Sequence, residues 1–200
     1  MIVDLPAFQL RIRFSFAAVI TVMLLFSEEK IVLMSLFSSL IHESGHLLLM
    51  LYYGDRINYV ELGIFGMRIE KEGTVLSYKK EALIAMGGII LNLICVIISV
   101  VGFLLTGKED FMIFALVNGF IALINMLPVK ILDFGRCLIS LLNEKYGEEK
   151  SVRITQVLSA AFTLIFSLAC IAYCIFIRLN FSFIAVTLYL NIITFKKKWS

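Results

Sequence analysis

Apolar residues gather into six runs, at residues 14–27, 31–53, 82–106, 111–143, 154–177 and 179–195, and most charges fall between them. A helix needs on the order of 20 apolar residues to cross about 30 Å of hydrocarbon. The second, third and fifth runs reach that length, whereas the first and last need flanking residues to reach the interfaces. The fourth is too long for one straight pass and contains Asn125, Pro128, Lys130, Asp133 and Arg136. An interrupted helix is therefore expected there, its irregular backbone lining a protein-enclosed cavity. Between residues 54 and 80 the period changes to two. Ile57-Asn58-Tyr59-Val60-Glu61-Leu62 and Met67-Arg68-Ile69-Glu70 alternate about a glycine-bounded turn at 63–66, which predicts a small β-hairpin. The expected fold is an all-α membrane protein of six transmembrane helices with one interfacial hairpin. It is read as a single membrane-embedded domain over 1–200, with its core at about 31–142 and no appended soluble domain.

Composition agrees, since 60% of the 200 residues are hydrophobic and 16% charged, a balance that soluble domains do not reach. Of the 18 basic residues only Lys30, Lys108 and Arg178 fall in the loops between runs one and two, three and four, and five and six. The positive-inside rule then puts both termini and the hairpin on the cytoplasmic side. The net charge of +3 suits anionic headgroups, and no nucleic-acid partner is implied. Residues 1–9 lack a basic n-region, so the first run is expected to be retained. Cys95, Cys137, Cys170 and Cys174 form no C-x-x-C pair and read as small buried hydrophobes.

The chain has two histidines, His42 and His46, in the run Ile41-His42-Glu43-Ser44-Gly45-His46. Spacing i, i+4 sets both imidazoles on one helix face, where both can ligate one Zn²⁺. Glu43 points slightly aside, placed to take a proton from a water at the metal without itself ligating. A catalytic zinc wants a third protein ligand and an open position. With no histidine left, that ligand is a carboxylate, a cysteine or a residue of another chain. Among the acidic residues only Glu43 and Asp133 lie well inside apolar runs, which nominates Asp133. Its alternative role is an ion pair with Lys130 or Arg136. His42 and His46 lie about 16 and 22 Å along a helix entering from outside, a depth that Asp133 shares.

The pair His42-Glu43-Ser44-Gly45-His46 and Asn125-Met126-Leu127-Pro128, closing on Asp133, resembles the double signature of site-2 intramembrane metalloproteases. The resemblance runs from about Arg11 to Ser140. It implies a zinc metalloendopeptidase with His42, His46 and Asp133 as ligands, Glu43 as base, and Asn125 with Pro128 in a loop that helps to hold substrate. Around 81–93 the chain is most similar to the bacterial stage IV sporulation FB type, which implies a membrane-associated sigma-factor precursor as substrate. Such proteins often carry G-P-x-x-N on the third span. Here Gly88 and Asn92 are kept, nominating Asn92 as substrate-binding, while Ile89 replaces the proline. Gly88 and Asn92 read equally as a close helix-packing face. Phe134 intervenes between Asp133 and Gly135, a departure that bears on the local backbone. Implied partners are a membrane-spanning or membrane-associated substrate, a membrane inhibitor or activator, and the bilayer. The competing classes are a non-catalytic membrane scaffold or chaperone, which has no use for Glu43, and a small transporter, which needs polar groups strung across the bilayer.

Overall fold

The computed structural model describes residues 2–4, 9–12, 21, 29–55, 57–63, 66–71, 76–176, 187, 188, 190–192 and 194. Three of its helices are long and apolar enough to cross a membrane: α1 (Glu29–Tyr52), α2 (Tyr78–Thr106) and α5 (Glu148–Phe176). They carry the second, third and fifth apolar runs. Burial is inverted relative to a soluble domain: Leu104 and Leu105 on α2 are 75% and 80% exposed, while Ser38, Asn92 and Asn118 are 0% exposed. Apolar side chains face outward because lipid is the outer solvent, and polar ones turn inward to find partners. The chain is a membrane protein.

The fourth run divides as its polar residues predict. Helix α3 (Glu109–Asn125) stops three residues before Pro128, and α4 (Asp133–Tyr146) begins after a turn in which Leu132 N–H donates to the Val129 carbonyl at 2.9 Å. Proline has no N–H to give and disfavours helix in the residue before it. Run 14–27 lies outside the described residues apart from Thr21, and so does much of 179–195, where helical residues occur between 187 and 194.

The hairpin forms as β3 (Ile57–Gly63) and β4 (Gly66–Lys71), antiparallel with Gly63 opposite Gly66. It is half of a larger sheet. Two strands at the N-terminus, β1 (Ile2–Asp4) and β2 (Gln9–Ile12), extend it in the order β1-β2-β3-β4. Segments of three and four residues are too short to display alternation, and β2 pairs with β3 in parallel, a long-range register that no local period announces. Arg11 lies 3.9 Å over the Tyr59 ring across that pairing.

The contacts divide the chain into two units, Met1–Leu123 and Ile124–Ser200. In the first, α1 and α2 meet at Gly45 and Gly87, whose missing side chains let backbone touch backbone: a Cβ on Gly87 would lie 2.6 Å from the Gly45 carbonyl oxygen. Phe37 stacks on Phe114 and Asn118 bonds Ser38, joining α1 to α3. The sheet rests on the adjoining ends of α1 and α2 through Met50, Ile57, Val60 and Ile84. In the second unit Ser151, Thr155, Ser159 and Thr163 recur every four residues along α5, all buried. Thr163 reaches Thr194 at 3.1 Å and Ser167 accepts from Asn191 at 2.8 Å.

Candidate metal site

Helix α1 presents His42 and His46 one turn apart, both buried, with their rings edge to face and Nε2 atoms 3.3 Å apart. His46 Nδ1 lies 2.7 Å from the carbonyl oxygen of Ile84 on α2. A carbonyl can only accept, so Nδ1 carries the proton and Nε2 keeps its lone pair for a ligand. Two nitrogens held at about 2.0–2.1 Å from a tetrahedral zinc stand about 3.3–3.4 Å apart. The histidine pair fits that requirement.

The opposite wall is Gly88. A Cβ there would sit 2.5 Å from His46 Nε2 and 2.7 Å from His42 Nε2, so any side chain on this residue would occupy the space the two nitrogens face. The adjacent glycines thus divide the work: Gly87 gives close helix contact and Gly88 gives room for the imidazoles. The packing-face reading of Gly88 does not include this room for the imidazoles. Asn92, on the same face of α2 one turn further, is fully buried. Glu43 is half-buried beside His42 on α1, while Ser44 turns outward and bonds the Leu40 carbonyl at 2.7 Å.

In the second unit Asp133 is the first residue of α4 and is buried. A carboxylate is favoured in a first turn, where backbone N–H groups are unpaired. Asn125 ends α3, and both it and Pro128 are half-buried. The turn between α3 and α4 is held by Ser159 of α5: its Oγ accepts from Lys130 N–H at 3.0 Å and faces the carbonyls of Pro128 and Thr155 at 2.9 and 2.7 Å. Gly135 resolves the question raised by the extra residue after Asp133, because a Cβ there would collide with the Val129 carbonyl. Glycine at that position lets α4 start directly against the turn.

His42 and His46 are buried in the first unit and Asp133 is buried in the second, and each side chain offers an atom that could ligate a metal ion. Sequence reasoning nominates these three residues as metal ligands. It did not find the Ile84 carbonyl, which is a backbone group and leaves no mark in residue identity, nor Ser159, whose only signal is the i, i+4 hydroxyl stripe.

A scan against protein-family models finds no match, and no curated protein matches the sequence. A search of solved structures returns the site-2 protease from Methanocaldococcus jannaschii, with a TM-score of 0.65 and 18% sequence identity over 100% of this chain and 95% of that one. The chain has that protein's fold.

Proposed function

We propose that this chain is an intramembrane zinc metalloprotease of the site-2 type, hydrolysing a peptide bond in a membrane-spanning or membrane-associated substrate near the cytoplasmic face. The observation that carries the reading is the histidine pair, with Nε2 atoms 3.3 Å apart and the His46 tautomer fixed by Ile84, on a helix that also bears Glu43. Shared fold with a site-2 protease supports it. His42, His46 and Asp133 would hold the zinc, with Asn125 and Pro128 shaping the substrate path.

A zinc ion supplies Lewis acidity there, polarising the peptide carbonyl and lowering the pKa of a water in the site. Glu43 takes the proton from that water as its oxygen bonds to the carbonyl carbon, then returns a proton to the peptide nitrogen as the C–N bond breaks. One peptide bond and one water become one acid and one amine. The carbonyls of a helical substrate are already hydrogen-bonded, so the substrate must first unwind locally.

In this proposal residues 14–27 and 179–195 supply spans beyond those described, the membrane is that of a bacterial cell, and both termini are cytoplasmic. The substrate class favoured by the 81–93 resemblance is a sporulation sigma-factor precursor. The test is cleavage of a single-span model substrate by the purified chain, with zinc quantified in the same preparation. Chelator-sensitive cutting near the cytoplasmic end, abolished in Glu43→Gln while zinc stoichiometry is kept, is the expected result. Glu43→Gln activity above a few per cent of the parent, or cutting indifferent to chelator, overturns the reading.

A further inference from the structure

Asn92 is 0% exposed, and among the described residues neither its side-chain nitrogen nor its oxygen has a hydrogen-bond partner. Buried amides are normally paired because the unpaired group forfeits its water without replacement. Asn118 shows the ordinary solution in this same unit. It is equally buried, and although its Oδ1 also has no partner among the described residues, its Nδ2 donates to Ser38 Oγ and to the Phe114 carbonyl, each at 2.9 Å. Asn118 joins helices, and the Asn92 side chain bonds to none of the described residues.

Its position says what it is kept for. Asn92 follows Gly88 by one helical turn on the same face of α2, about 6 Å along the axis. Helical side chains lean toward the N-terminus, so the Asn92 amide is carried back over the turn that Gly88 occupies. Gly88 has no side chain to fill that space, and its Cα faces the Nε2 atoms of His42 and His46. An unpaired donor and acceptor therefore border the gap in front of the histidine pair.

We infer that the Asn92 side-chain amide receives the backbone of an unwound substrate, its Nδ2–H donating to the carbonyl oxygen of the peptide bond that is cut. This rests on the protease reading. As the attacking water's oxygen bonds to the carbonyl carbon, the π pair moves onto the carbonyl oxygen and the water's proton goes to Glu43. The donor then faces a full negative charge, and its hydrogen bond strengthens most at that moment. When the C–N bond breaks, the pair returns to the C=O bond and the nitrogen takes its proton from Glu43.

The test compares the full-length parent with Asn92→Leu, which keeps the branched shape without a donor but is larger, and with Asn92→Ala, which removes the amide without adding bulk. The expected result is a fall in kcat of about 10²–10³-fold with KM and zinc content unchanged. The thermal midpoint should not fall, since an unpaired polar group has been removed. A phosphinic peptide of the substrate sequence, whose tetrahedral anionic group mimics the addition step, should lose affinity by a factor similar to the loss in kcat/KM. Parental kcat in either folded variant overturns the inference and leaves the protease reading standing. Loss of zinc or of thermal stability in step with rate overturns it too, making Asn92 a structural residue. A parent that cuts nothing, or cuts regardless of chelator, takes both down.

Discussion

Gly88→Ala isolates the room that the histidines need. The added methyl would lie 2.5 Å from His46 Nε2, 2.6 Å from His42 Cε1 and 2.7 Å from His42 Nε2. Ordinary contact for such atoms is about 3.5 Å, so the rings or the helices must separate by about 0.8–1 Å. Metal–ligand distances tolerate only about 0.2 Å. Without metal the His42 ring can shift without disturbing the His46 bond to Ile84, whereas a metal would hold both imidazoles at fixed distances. Overpacking of this kind costs about 1–3 kcal/mol. Charged against the bound state alone, it weakens zinc affinity by about 5- to 150-fold. The assay is competition with a chromophoric chelator in detergent, alongside thermal unfolding with and without zinc. Gly45→Ala and Gly87→Ala serve as contrasts, because there the clash is backbone on backbone and must destabilise the helix pair with or without metal. A Gly88→Ala protein that binds zinc within twofold of the parent, or that loses as much stability without metal as with it, refutes the reasoning.

Changing His42 or His46 to Ala, or Asp133 to Asn, should lower zinc occupancy measured by elemental analysis, and a chelator should reproduce the effect on activity; unchanged zinc affinity in Asp133→Asn would strike it from the ligand set. Ser159→Ala removes the acceptor for Lys130 N–H and a donor to the Pro128 or Thr155 carbonyl. It should lower the thermal midpoint by an amount equivalent to about 1–3 kcal/mol and reduce cleavage, with Ser159→Thr restoring part of both. Asn125→Ala and Pro128→Ala should slow cleavage while zinc is retained, and zinc loss in either would reassign the residue to the metal site.

What could be read from the chain beforehand follows from how each feature is encoded. His42 and His46 declare themselves because i, i+4 spacing of metal-ligating side chains on an apolar helix has few other uses. The β3–β4 hairpin shows as a local alternation, and the α3–α4 break as a proline in an over-long run. Asp133 stands out because an intramembrane carboxylate is costly without a role. The remaining features depend on groups or pairings that residue identity does not carry. Every residue owns a carbonyl, so nothing marks the one at Ile84 that orients His46. Two neighbouring glycines are indistinguishable in a sequence, yet about 100° of helical rotation turns one toward a backbone and the other toward two imidazoles. The short strands β1 and β2 exist through pairing with each other and with a strand far along the chain, which leaves no period to detect.

That distant pairing has a bearing on how the molecule is made. Gln9–Ile12 lies parallel to Tyr59–Leu62, and the whole of α1 with its histidines is strung between the two strands. A ribosome delivers β2 long before β3, so β2 has only β1 to pair with while α1 is synthesised. When β3 arrives, α1 ceases to be a segment with one loose end and becomes an arc fastened at both ends to one sheet. Removing the residues before Arg13 would unfasten only one end, but it is the end that precedes the helix bearing His42 and His46.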